Sequence, residues 1–177
     1  LSASAIGFYG HQGDHLLTED ATPVAGFSHS LCRAWEEEAS KLAELGCRVC
    51  VLRLGVVLSA RGGAMEELTR SARMGVATWL GNGKQWLSWV HRDDVIAAMQ
   101  YLVAQEGLSG VFNVTAPEPE TNRGFCQRLR SYMTTLVAMP VPSWAMRLLL
   151  GEMADELLLN GQRVVPTRLQ AQGFVFR

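Results

Sequence analysis

Lysine is nearly missing from this chain: of its 16 basic residues only Lys41 and Lys84 are lysines, the rest being arginine. Chemistry that needs a lysine at a fixed place therefore has two positions to draw on. The formal net charge is −1 and no run of Lys or Arg occurs, which excludes the basic stripe on which nucleic-acid binding depends. Long apolar runs are missing too. Val49–Leu58, among the longest, is too short and too interrupted to span a bilayer. A second close cysteine pair is also lacking. Cys47-Arg-Val-Cys50 stands apart from Cys32 and Cys126, whereas a structural zinc takes four ligands, usually as two close pairs. In a strand-like run a three-residue offset sends two side chains to opposite faces. The four cysteines therefore read as reduced, partly buried structural thiols in a reducing compartment, the cytoplasm or an organellar matrix.

The sequence opens on Leu1 rather than Met, and its first residues are not expected to be a signal peptide. Leu1–Gly10 reads as the end of a buried strand, with no strand, Gly-rich turn and helix in front of it to hold a dinucleotide. The expectation is that these residues are the rear portion of a longer protein.

What is there is enough for one ordinary globular domain: 48% hydrophobic and 19% charged residues can bury a core. Strands and helices alternate, without internal repeats. After the opening strand, Gly10 to Gly26 is polar and turn-rich. A helix is expected from Phe27 to Leu45, with Leu31, Trp35, Ala39, Leu42 and Leu45 as one apolar stripe and Gly46 as its stop. Arg48 to Leu58 is nearly continuous and β-branched, as in a strand covered on both faces. Helix followed by buried strand is half of a βαβ unit, hence a parallel sheet with right-handed crossover. Further helices are expected over Ala64–Met74, Asp93–Val103 and Asn122–Leu136, with another after Pro140 and Pro142. A β-rich segment covers Gly81–Val90, a short strand Gly110–Thr115, and a last strand Gly173–Phe176 follows a helix in the tail.

Gly7-x-x-Gly10-x-x-Gly13 matches a dinucleotide fingerprint in letters. The chemistry requires the third glycine to open a helix whose N-terminus faces the pyrophosphate. Asp14 to Pro23 is polar and lacks a helical stripe, so the glycines read as turns of a loop after the strand.

A set of segments in fixed order resembles a known family. Ser2-Ala-Ser-Ala-Ile-Gly-Phe-Tyr-Gly10, Trp35-Glu36, Leu52-Arg-Leu-Gly-Val-Val-Leu58 and Arg61-Gly-Gly-Ala64 come first. Gly81-Asn-Gly-Lys-Gln-Trp-Leu-Ser-Trp-Val-His-Arg-Asp-Asp94, Phe112-Asn-Val-Thr-Ala-Pro117, Arg147–Asp155 and Gly161–Pro166 follow. Together they resemble the atypical, epimerase-like branch of the extended short-chain dehydrogenases/reductases, often labelled nucleoside-diphosphate-sugar epimerases. The resemblance implies an α/β fold: the C-terminal part of a Rossmann-type parallel sheet, residues 1–60, plus a small α/β substrate lobe within 61–177, with a cleft between them. That second stretch would also hold returning sheet elements and a family-specific C-terminal segment. It further implies NADP, or NAD, held largely by an absent N-terminal portion. A small-molecule substrate, with a nucleotide sugar as one class, and a homo-oligomer belong to the same expectation; nucleic acid and membrane do not.

Classical members move a proton with a Tyr whose pKa is lowered by a Lys four residues on. The three tyrosines here, Tyr9, Tyr101 and Tyr132, are followed at that distance by Gly13, Gln105 and Leu136. Aligned on the first helix, Ser28 falls at the Tyr place and Cys32 at the Lys place, and neither supplies that acid–base chemistry. The reaction is thereby left open, and a non-catalytic cofactor-binding or interaction protein stands as the rival.

By resemblance Ser4 matches the active-site Ser at the strand end; alternatively it ties its hydroxyl to local backbone. Tyr9 is either a general acid from the loop or a packed aromatic. Ser2, Ala3, Leu54, Gly55 and Val56 would lie along the cofactor, Gly55 allowing close backbone approach or simply turning the chain. Arg61, Lys84, Gln85 and Trp86 suit a substrate pocket, because phosphate and sugar sites favour Arg forks, amides and stacking rings. His91 joins them or only holds a strand–helix junction, with Asp93 as the helix cap.

Overall fold

The computed structural model describes residues 1–177, apart from the side chains of residues 156 and 157. In chain order β1 is Ser2–Ala5, β2 Leu16–Leu17, α1 Phe27–Glu44, β3 Cys50–Leu54, β4 Val56–Ser59, β5 Gly62–Gly63 and α2 Ala64–Arg73. Then come β6 Val76–Leu80, β7 Trp86–Leu87, β8 Trp89–His91, α3 Arg92–Ala104, β9 Gly110–Val114, β10 Glu120–Thr121 and α4 Asn122–Tyr132. The last elements are β11 Val137–Val141, α5 Ser143–Leu150, α6 Glu152–Ala154, β12 Arg163–Val164 and α7 Thr167–Ala171. The chain folds into two compact units, one of Leu1–Val57, Ser88–Pro119 and Gln162–Arg177, the other of Leu58–Leu87 and Glu120–Gly161.

The first unit is built on a parallel sheet in the order β1-β3-β9. Parallel strands need helical crossovers and end up covered on both faces, and β3 has its first four residues buried. One face carries Cys50, Leu52, Phe112 and Val114, packed with Val95, Ala98 and Leu102 of α3 and with Leu169 and Phe174 of the tail. Burying each of the larger of these side chains contributes about 1.5–3 kcal/mol. A smaller cluster of Ile6, Tyr9, Leu17 and Val164 closes around β2 and β12, which pair in parallel.

The other face belongs to α1, and there the amphipathic expectation fails. Leu31, Trp35, Leu42 and Leu45 are exposed, and Cys32 is the one buried residue of the helix. The helix turns Cys32 and, one turn on, Glu36 toward the sheet, where Glu36 meets the buried Arg53.

Several boundaries also differ from expectation. The opening strand stops at Ala5 and passes into a 3₁₀ turn, Ile6–Tyr9. The apolar run after α1 breaks at Gly55 into β3 and β4. Helix α4 ends at Tyr132, since Val137–Val141 leaves it to pair in parallel with β6. Pro140, which lacks an N–H, is tolerated there because β11 has β6 as its single neighbour. Residues 173–176 form no strand; Phe174 instead packs its ring edge-on against Tyr101 and Phe176.

Helix α3 is capped by His91, whose Nδ1 accepts from the Asp93 N–H at 3.2 Å, and not by Asp93. Asp93 lies in the first turn and takes Arg92 at 3.0 Å. This hydrogen bond, against a small opposing effect of burial and with the nearby Arg92, His91 and Arg177 charges, holds its carboxyl below the usual range.

The second unit pairs β4 with β5 and β7 with β10, both antiparallel, and carries α2, α4, α5 and α6. Thr121 caps α4 through its hydroxyl, which accepts from Gly124 N–H at 3.0 Å.

Candidate functional site

Register alone sets the centre of the first unit. Ser4 of β1 pairs with Arg53 of β3, and Arg53 pairs with Asn113 of β9. Positions paired across a sheet point to the same face, so three polar side chains stand in one row beneath α1. All three are buried. Buried polar groups of this kind must be partnered or they cost stability, and here each finds its partner.

Glu36 of α1 is the anchor. Ser4 donates its hydroxyl to Glu36 Oε1 at 2.7 Å. Arg53 clasps the same carboxylate in a fork, Nε to Oε1 at 2.9 Å and Nη2 to Oε2 at 2.7 Å. The third guanidinium nitrogen donates to the Tyr9 hydroxyl at 3.0 Å, and Tyr9 donates to Asn113 Oδ1 at 2.7 Å. Asn113 completes its set with Nδ2 on Val165 O and its backbone N–H on Glu19 Oε1, both at 3.1 Å. Glu19 also takes the Arg168 N–H at 3.1 Å. Above the guanidinium lies the Phe8 ring, 3.4 Å from carbon Cζ to ring centroid, a stacked cation–π arrangement suited to arginine.

The electrostatics follow. Burial pushes the Tyr9 phenol above its ordinary value, against the opposing pull of Arg53 and Asn113. For Arg53 burial favours the neutral form, but the hydrogen bonds to Glu36 and Tyr9 outweigh it and raise the pKa. A serine hydroxyl has one proton. With that proton on Glu36, Ser4 meets any other group as an acceptor.

Ser4 and Tyr9 are therefore brought together, joined through Glu36 and Arg53, but Tyr9 is fully enclosed. Ser2 is half-buried and Ala3 exposed on β1; Leu54 and Val56 are half-buried. Gly55 is required for packing: a Cβ there would lie 2.4 Å from Ser88 O and 2.9 Å from Thr115 Cγ2. Its N–H goes to Val114 O and that of Val56 to Ser88 O, at 3.1 and 2.9 Å. Those two donors are thus engaged within the chain.

Of the fingerprint-like glycines, Gly10 sits at φ +67° where the loop folds back, and a Cβ would meet Val24 O at 2.5 Å. No helix opens at Gly13; α1 begins after Gly26. Ser28 and Cys32 face the 3₁₀ turn, with Ser28 Cβ 3.1 Å and Cys32 Sγ 3.9 Å from where a Gly7 Cβ would stand.

In the second unit Arg61 lines a cavity of about 450 Å³. Lys84 is exposed, its backbone N–H on Asn82 Oδ1. Gln85 is a brace, its amide donating to Leu80 O at 3.1 Å and Leu158 O at 3.0 Å. Trp86 is half-buried in β7 and packs so close to Gly161 that a Cβ there would overlap the Trp86 carbonyl. His91, in the first unit, is the exposed cap of α3. The sequence gives no site role to Glu36, Arg53, Asn113 or Glu19, although the first three lie in the family-like segments. The four cysteines are free, with Cys32, Cys50 and Cys126 buried and Cys47 exposed. Among the described residues no helix is long and apolar enough to cross a membrane.

A parallel sheet with strand-end serine and crossover helix is the Rossmann class of α/β fold. The chain belongs to the NAD dependent epimerase/dehydratase family, whose model matches residues 1–115, while the domain of unknown function DUF1731 matches residues 141–177. It is 38% identical to an epimerase family protein of Mycobacterium bovis over 176 residues, 99% of this chain and 58% of that protein. It is 36% identical over 177 residues to the chloroplastic epimerase family protein SDR39U1 homolog of Arabidopsis thaliana, covering 100% of this chain and 50% of that protein. Among solved structures, human epimerase family protein SDR39U1 (isoform 2) with NADPH superposes with TM-score 0.89 at 28% identity, over 98% of this chain and 59% of that one. A nucleoside-diphosphate sugar epimerase from Corynebacterium glutamicum gives 0.78 at 32%, over 99% of this chain and 34% of that one. The chain thus spans about half to three fifths of the length of the curated relatives it matches.

Proposed function

We propose that the protein is an NADP(H)-dependent oxidoreductase or epimerase-like protein acting on a small molecule, with a nucleotide-linked sugar as the substrate class. The observation that carries this is the similarity to the NADPH-bound human relative, TM-score 0.89 over 98% of the chain. The Corynebacterium neighbour's description supports the substrate class. Arg61, Lys84, Trp86 and His91 remain the side chains offered to substrate, and Ser4, as an acceptor, the hydroxyl offered to the reacting centre.

Residues 1–177 fit the cofactor in part. Ser2, Ala3 and Leu54 can flank a nicotinamide. The Gly7–Gly13 turns serve loop closure and open no helix, so they make no pyrophosphate cradle. The reading accordingly assigns that cradle to the part of the relatives' length that these residues do not match. NADP(H) would supply hydride transfer; the chain's own part is to position Ser4. The proposed compartment, reducing cytoplasm or organellar matrix, rests on the four free thiols.

A second reading, cofactor binding without catalysis, is favoured by one feature. No Tyr-x-x-x-Lys exists, and Cys32, at the Lys place, is buried against the 3₁₀ turn. Calorimetry with NADPH on the full-length protein, then absorbance at the reduced-nicotinamide band with a panel of nucleotide sugars, separates the two. Micromolar NADPH binding with turnover supports the first reading, and binding without turnover the second. Absence of NADPH binding by the full-length protein overturns both.

A further inference from the structure

The second unit holds seven arginines, and five of them are engaged. Arg70, Arg128 and Arg147 form ion pairs with Glu67, Glu120 and Asp155, Arg123 lies over Trp79, and Arg130 donates to Thr135. The two whose guanidinium groups bond to nothing among the described residues are Arg61 and Arg73, and both line the same cavity of about 450 Å³. An unpartnered guanidinium on a surface is ordinary; two lining one concave site are not, because each leaves five planar donors unspent beside a common space.

The rest of the lining defines what fits. Leu129 and Tyr132 of α4 and the following Met133 add apolar and ring surface to the lining, Tyr132 being largely exposed and so open to a ligand. Glu66 is the one acidic lining residue. It sits in the first turn of α2, where the positive helix end favours a carboxylate, so the cavity keeps a net positive character. The larger groove of the first unit, about 790 Å³, differs in this respect. Its arginines are satisfied, Arg33 by Glu37 and Arg48 by the carbonyls of Leu102, Leu108 and Val103.

We propose that this cavity is a binding site for a small oxyanion-bearing ligand with an apolar or aromatic portion, a phosphate ester in chemical class. Arg61 and Arg73 take the anion, and Tyr132 with its apolar neighbours takes the remainder. The proposal extends the substrate role given to Arg61 above. It is tested without cofactor or turnover, so its failure leaves the NADP(H) reading standing.

Phenyl phosphate, which joins a phosphate to a ring, is titrated calorimetrically into the full-length protein at low ionic strength. Saturable binding is expected, weakened about tenfold or more in the Arg61→Gln/Arg73→Gln double variant, the size of a lost charge-assisted hydrogen bond. Arg70→Gln removes one charge of the same kind on α2 outside the cavity and should leave the affinity within about twofold at the salt dependence of exposed charges. All three altered side chains are exposed, and equal thermal melts establish that the variants fold. Absence of saturable binding, survival of binding in the double variant, or equal loss in Arg70→Gln each overturns the proposal.

Discussion

Replacing Glu36 by leucine should be among the most damaging single changes outside the apolar core. The substitution removes the acceptor for Ser4 and two of the bonds that satisfy Arg53, whose side chain is 5% exposed against 12% for Glu36. Removing one member of a buried ion pair costs about 3–5 kcal/mol, because the other charge stays buried without compensation. Arg53 keeps its bond to Tyr9 and its place under Phe8, which puts the expectation at the lower end, about 3 kcal/mol. For a chain of this size that corresponds to a fall of roughly 6–12 °C in melting temperature. The double variant Glu36→Leu/Arg53→Met should recover part of the loss. Apolar replacement of a buried pair is often neutral or better, while the Ser4 and Tyr9 hydroxyls left behind cost about 1–2 kcal/mol between them. The double variant is thus expected to be more stable than the single by about 1–2 kcal/mol. Urea unfolding followed by circular dichroism reads both values. A single variant that loses less than about 1 kcal/mol would refute the reasoning, as would a double variant less stable than the single.

Three other outcomes are expected. Gly55→Ala drives a Cβ to 2.4 Å from Ser88 O and 2.9 Å from Thr115 Cγ2, so the backbone must shift, with a loss of about 1–3 kcal/mol; an unchanged urea midpoint would show the packing to be looser than the geometry states. The neutral Tyr9 phenol is favoured by burial, so its contribution is fully present below the ordinary tyrosine pKa of about 10 and lost as pH rises above it toward the higher folded value. Stability measured between about pH 9 and 11 should fall less steeply in Tyr9→Phe than in the parent, and parallel curves would remove Tyr9 as the cause. A thiol reagent under native conditions should label Cys47 quickly and leave Cys32, Cys50 and Cys126 protected until unfolding, in keeping with their burial; mass spectrometry of the labelled peptides decides.

The fold was legible where one physical rule governed a segment. The β-branched run around Cys50–Leu54 and the acidic first turn of α3 were legible from local pattern alone, because burial and helix polarity act on neighbouring residues, whereas the cap of α3 fell to His91 and not to Asp93. Val137–Val141 was not, since a strand containing Pro140 is stable only through pairing with β6, some sixty residues earlier, which no local window contains. The α1 stripe was misread for a related reason. Period 3.6 locates an apolar face, yet which face is buried depends on what the sheet offers, and here the sheet offers Arg53. A signal did exist. Arg53 stands in the middle of an apolar strand and Asn113 in the middle of another, and a polar residue at such a place requires a partner. Glu36, four residues after Cys32 on the same helical face, was the matching carboxylate. The site could have been found by asking where those buried charges go.

Ser28 and Cys32, the residues that the resemblance sets at the Tyr and Lys places, belong to one close helix–turn contact. Helix α1 approaches the 3₁₀ turn so closely that Ser28 Cβ lies 3.1 Å from the position a Gly7 Cβ would take, with Cys32 Sγ at 3.9 Å. Cys32 is buried, so an ammonium in its place would be a charge taken out of water, and Glu36, one turn on, is already engaged in both oxygens. The small residues at Gly7, Ser28 and Cys32 and the acidic residue at Glu36 therefore form one arrangement: close helix–turn contact on one turn of α1, and ion pairing on the next. Within it the proton of Ser4 points to the helix and its lone pairs remain. With the Ser4 hydrogen committed to Glu36, the proposed reaction would draw a substrate's proton from a group outside the Ser4–Glu36–Arg53–Tyr9 network.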